Sequence, residues 1–125
     1  MGDRGNIVIK DSRGMEIYLY THWYGTELPQ TLRVALQRGR DRWYDDLYLA
    51  RIIFSEMIKD DVLGTTGFGI GTYQCDANHP DIVVDVPNQT VGYRGRAVVS
   101  FQEYIIVPTG APSIQITNVV PKNRS

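Results

Sequence analysis

An α+β fold, with two helices packed on one face of an antiparallel sheet, is predicted by three observations. The first is a pair of short alternating or β-branched runs at the N-terminus, separated by a glycine-containing turn. The second is two amphipathic stripes of helical period in the middle of the chain. The third is a late series of short apolar runs cut by proline, asparagine and glycine, with links too short for parallel crossovers. The expected order is ββααβββ(β).

Residues 6–11 read as the first strand, with Ile7 and Ile9 on one face and Val8 on the other. Ser12-Arg13-Gly14 is a turn cluster. Residues 15–23 form the second strand, rich in the aromatic and β-branched types that suit a pleated surface.

Pro29 fits the first turn of a helix, where its missing N–H costs nothing, and Thr26 or Glu27 can cap that turn. Leu28, Leu32, Ala35 and Leu36 make one stripe, and Gly39 is a natural stop with Arg38 and Arg40 at the negative end of the dipole. A second helix is expected from Asp45 or Asp46 to about Lys59, with Ala50, Ile53, Phe54 and Met57 as its stripe and Leu49 and Ile52 widening it. Its apolar content predicts deeper burial than that of the first helix.

Strands are then expected at residues 68–74, 82–86, 90–93, 97–107 and 113–119. The chain of 125 residues reads as a single domain over 1–120 with a frayed tail at 121–125. A domain of this size buries roughly two-thirds of its unfolded surface and needs no staples.

Composition narrows the function classes. The apolar share is 42% and the charged share 22%, which suits a packed globule rather than a disordered chain. A net charge of −1 argues against general nucleic-acid binding. Cys75 is the single cysteine, so no internal disulfide is possible, and two distant histidines give no metal-ligand spacing. No apolar leader or membrane span is legible, which leaves the cytoplasm as the expected location and no membrane partner. No cofactor is expected.

Four groups of residues invite a binding role. Tyr18, Tyr20 and His22 share one strand face and lead to Trp23 and Tyr24, an aromatic stripe able to stack planar rings; the bland alternative is cross-strand packing. Arg38-Gly39-Arg40-Asp41-Arg42 offers guanidinium forks for phosphate, with interleaved aspartates that can neutralise them. Arg51 lies in an otherwise apolar helix and reads as half-buried, so it needs an internal acid or an anionic ligand. The run Gly64 to Gly71 feeds a strand rather than a helix, which excludes the known phosphate-loop mechanisms and leaves Thr65, Thr66 and Gly67 as loop contacts.

The segments Gly5-Asn6-Ile7-Val8-Ile9, Tyr18-Leu19-Tyr20-Thr21-His22-Trp23, Leu28-Pro29, Arg42-Trp43, Tyr48-Leu49-Ala50-Arg51-Ile52-Ile53-Phe54 and Thr66-Gly67-Phe68-Gly69-Ile70 resemble a group of short bacterial and phage proteins with no established activity. The resemblance covers about the first three-quarters of the chain and implies a bacterial or phage cytosolic setting.

The expected function is therefore non-enzymatic binding of a small anionic or nucleotide-like ligand by a homo-oligomer. Tyr20, His22, Trp23, Tyr24, Arg42, Arg51, Thr65, Thr66 and Gly67 are its candidate residues. One alternative is a small hydrolase or nuclease-like enzyme using His22 with Asp85 or Glu27. Another is an interaction module that pairs through the edge of strand 97–107.

Overall fold

The computed structural model describes residues 2–106. Its elements are β1 (Gly5–Lys10), β2 (Glu16–Thr21), α1 (Leu28–Arg38), α2 (Asp46–Met57), β3 (Phe68–Gly71), β4 (Ile82–Asp85), β5 (Thr90–Tyr93), β6 (Val98–Ser100) and α3 (Phe101–Ile105). The fold is α+β, with helices packed against a six-stranded sheet of order β3-β2-β1-β4-β5-β6.

Strand alternation decides which residues meet the helices. Ile7, Ile9, Leu19, Ile82, Val84, Val91 and Val99 point into one core with Leu28, Leu32 and Leu36 of α1, Leu49 and Ile53 of α2, and Phe101 and Tyr104 of α3. Gly39 caps α1 as the sequence predicts, and the Asp45 carboxylate accepts the Tyr48 N–H to cap α2.

Three expectations are corrected. The sheet is mixed rather than antiparallel throughout, because β4 lies parallel to β1 with Ile7 opposite Ile82. The free edge of the β1–β2 hairpin is filled by a strand that arrives over the long connection 72–81, a link long enough for a crossover. The long strand at 97–107 is instead β6 followed by α3. Ser100 and Glu103 form a reciprocal capping box, and Phe101, Tyr104 and Ile105 recur at helical spacing on the buried side. The third correction concerns burial. Six residues of α1 are buried against four of α2, because Ala50 and Phe54 of α2, though packed against the core, also border an open groove and are only partly buried. The strand expected at 113–119 and the tail at 121–125 lie outside the described residues.

The far face of the sheet is held by polar contacts. Arg94 donates to Asp81 at 3.3 Å and to both Glu16 oxygens at 3.3 Å, and the Tyr18 hydroxyl donates to Glu16 at 2.9 Å. Asn6, fully buried on β1, donates to the Cys75 carbonyl at 2.9 Å, which ties down the 72–81 connection.

Candidate functional site

The residues singled out from the sequence fall into three places. Tyr20 and His22 lie on the far face, where the Tyr20 hydroxyl and His22 Nδ1 are 2.9 Å apart. The other side of the His22 ring is closed by the N-terminal segment: a side chain on Gly2 would come within 3.1 Å of His22 Nε2.

Trp23 and Tyr24 belong to a second place. Gly67 has φ +92° and fits edge-close under the Trp23 ring, where an added Cβ would stand 2.7 Å from the indole. Tyr24 stacks on Phe68 with parallel rings 5.9 Å apart. These aromatics wall a hollow of about 440 Å³ whose other groups include Glu27, Glu56, Lys59, Asp60 and Asp61. Acids outnumber the single lysine, so the field in this hollow opposes an anion. Thr65 and Thr66 are exposed in the loop that precedes Gly67.

Glu56 is the buried member of that group. Burial pushes its carboxyl up, and the Lys59 ammonium at 2.9 Å with the Arg38 guanidinium at 3.1 Å outweighs this, so its pKa lies below the ordinary value. The Lys59 pKa is raised by the same pairing.

Arg42 and Arg51 make the third place. They line one hollow of about 530 Å³ together with Tyr48 and Ile52. The expected half-burial of Arg51 is corrected: the side chain is exposed on the outer surface of α2, because the buried stripe runs through Leu49, Ile53, Glu56 and Met57 instead. The Arg42 guanidinium lies 5.2 Å from the Tyr48 ring centre and donates to the Tyr44 hydroxyl at 3.0 Å. Among the described residues neither Arg42 nor Arg51 has a carboxylate within 4 Å. Two of the nearby acids are engaged elsewhere, Asp45 as the α2 cap and Asp46 with Ser12, while Asp41 is exposed beside Arg42. The other two arginines of the 38–42 stretch are also spoken for, Arg38 by Glu56 and Ser55, and Arg40 by Gln102 and the Trp43 ring.

Arg51 also borders a fourth feature, an apolar groove of about 410 Å³ between α2 and the β2–β3 edge, lined by Ile17, Leu19, Ala50, Phe54, Ile58, Val62 and Ile70.

The pairing of His22 with Asp85 or Glu27 does not form. Asp85 accepts from the N–H and side chain of Asn88 and holds the β4–β5 turn, and Glu27 sits in the 3-10 turn before α1. The histidine with a carboxylate within 4 Å, among the described residues, is His79, whose Nε2 lies 2.5 Å from Asp3 Oδ1. Thr26 Oγ1 approaches the same nitrogen at 3.5 Å. A proton relay needs acid and hydroxyl on opposite ring nitrogens, so this cluster anchors the N-terminus rather than activating Thr26. The Asp3 pKa is held low by the Thr26 N–H and then by His79.

Sequence reasoning missed the buried Arg33, whose Nε donates to the Tyr104 carbonyl at 3.2 Å and whose guanidinium lies 5.1 Å from the Tyr104 ring centre. Its place four after Pro29 and three before Leu36, both buried, was the available signal.

No helix of the described residues is long and apolar enough to cross a membrane. Comparison with protein-family models, with curated proteins and with solved structures finds no match to this chain.

Proposed function

We propose that this protein is a non-enzymatic binding protein for a small planar anion of nucleotide-like chemistry, received at the hollow between Arg42 and Arg51. The observation that carries this reading is the pair of guanidiniums without carboxylate partners, facing one hollow beside an exposed tyrosine ring. Arginine forks match phosphate oxygens bidentately, and the Tyr48 ring supplies a surface on which a base can stack. Asp45 and Asp46, two of the acids near those charges in the chain, are committed to the α2 cap and to Ser12.

The test is thermal denaturation with a panel of mono-, di- and cyclic nucleotides at millimolar concentration. A ligand present at 100 times its Kd stabilises by about 2.7 kcal/mol, which raises Tm by roughly 10 °C in a domain of this size. The expected result is such a shift in the wild-type protein and its loss in Arg42→Ala/Arg51→Ala. No shift with any member of the panel, or a shift that survives the double substitution, overturns the reading.

A further inference from the structure

Strand β3 is an edge of the sheet among the described residues, and its sequence, Phe68-Gly69-Ile70-Gly71, carries neither of the usual side-chain guards, although at four residues it is a short edge. Sheet edges are ordinarily protected by a charge, a proline, a bulge or a covering loop, because their free N–H and C=O groups template further pairing. Here there is no charge and no proline, and Ile70 stands 61% exposed at the mouth of the apolar groove.

The register shows which groups are free. The His22 N–H donates to the Gly67 carbonyl at 2.8 Å, and the same ladder sets Gly69 opposite Tyr20 and Gly71 opposite Tyr18. In an antiparallel ladder, alternate residues exchange their backbone bonds with one neighbour. Residues 67, 69 and 71 therefore turn toward β2, and the N–H and C=O of Phe68 and Ile70 turn outward. Ile70 lies opposite the core residue Leu19, so its side chain is on the helix face, while Gly69 and Gly71 leave the other face bare.

We infer that two copies of this chain pair antiparallel through β3, about a two-fold axis at Ile70. Residues opposite one another in an antiparallel pair share a face, so such an axis must lie between one residue and its own copy, not level with the step between two successive residues. At Ile70 the outward N–H and C=O bond to those of Ile70 of the partner subunit. The two isoleucine side chains meet over the groove, and Gly69 faces Gly71 of the partner subunit without obstruction.

Charge selects a second copy over an unrelated strand. Helix α2 runs against β3: its Met57 end shares a hollow with Phe68, and its Asp46 end bonds Ser12 at the opposite end of the hairpin. Arg51 thus borders one end of the groove, and Asp60 and Asp61 precede Val62 at the other. The two-fold axis reverses the direction, setting the basic end of each copy beside the acidic end of its mate. Pairing also covers Val62, itself 61% exposed.

The test is light scattering after size exclusion at concentrations from about 1 to 100 μM, an interval chosen to span ordinary dimer affinities. The wild-type chain is expected at twice its 14.2 kDa mass. Ile70→Lys, which sets two like charges on the axis, is expected to halve that mass while leaving the circular dichroism spectrum unchanged. Ile70→Cys, with Cys75→Ser, supplies a check that does not rest on disrupting the fold. Directly opposed residues at such a position have Cα atoms about 5.5 Å apart, within disulfide range, so mild oxidation should give a covalent dimer. A monomeric wild-type chain at the highest concentration, a dimer that persists in Ile70→Lys, or the absence of a cross-link at position 70 overturns the inference.

Discussion

The two halves of the helix-covered face are finished differently. On the β4–β6 side, α1 and α3 close the core: Leu32, Leu36 and Phe101 are fully buried, and Tyr104 is 1% exposed. Side chains also bind α1 to α3 through backbone carbonyls. The Tyr104 hydroxyl donates to Pro29 at 2.6 Å, Arg33 to Tyr104 at 3.2 Å and Gln37 to Ile105 at 3.0 Å. On the β2–β3 side, α2 stands over an open groove, and Ile70 and Val62 keep most of their surface in solvent. One sheet therefore carries both a sealed core and an unsealed one. The sealed half holds most of the fully buried side chains, and the open half leaves apolar surface in solvent.

Four measurements break or sharpen that contrast. The largest effect is expected from Phe101→Ala in the sealed half, where removing a fully buried aromatic costs about 3–5 kcal/mol in urea unfolding. Tyr104→Phe keeps the volume and removes one buried hydrogen bond to the Pro29 carbonyl, for about 0.5–1.5 kcal/mol. Asp45→Ala, at the start of the helix over the open half, removes a cap and should cost about 1 kcal/mol. Ile70→Ala, measured at concentrations where the chain is monomeric, should change stability by no more than about 0.5 kcal/mol. A cost above 2 kcal/mol there would show that the groove is as structural as the α1–α3 core.

Acid provides a further probe. Arg94 hydrogen bonds hold the Glu16 carboxyl below its ordinary value, and Glu56 is lowered by Lys59 and Arg38 against the opposing effect of burial. Carboxyls with depressed folded-state pKa values stabilise the fold fully above their unfolded values, near pH 4.3 for glutamate, and the contribution is lost as pH falls through the folded values. Urea midpoints are therefore expected to hold from pH 7 to about 5 and to decline below about 4.5. Glu16→Gln/Glu56→Gln should flatten that decline; an unchanged slope would remove these two groups from the account.

Most elements were legible before the structure because local signals agreed. Pro29 and Gly39 bracket α1, Asp45 caps α2, and the alternation of Ile7, Ile9, Ile17 and Leu19 orients the hairpin. The parallel β1–β4 pair was not legible, since register between distant strands is set by the packing of the whole sheet and leaves no local mark. Helix α3 is not legible in the sequence because a short apolar run fits either period, and the Ser100–Glu103 box that decides it falls inside a run that also suits a strand. Among the candidate residues, sequence proximity correctly grouped Trp23 with Tyr24 and strand alternation grouped Tyr20 with His22. It could not show that Trp23 stands in an acidic hollow while Arg51 projects from the other side of α2, because that depends on how the helix is rotated about its axis.

The placement of β4 has a consequence for how the chain is made. Strand β1 leaves the ribosome well before the neighbours that bury its second flank; Asn6 and Asp81, joined across that boundary, are 75 residues apart. Until that late stretch emerges, the nascent hairpin and its two helices must wait with a naked apolar margin at Ile7 and Ile9. A translation pause that holds residues 82–85 back would prolong that interval, whereas a pause after they have emerged would not.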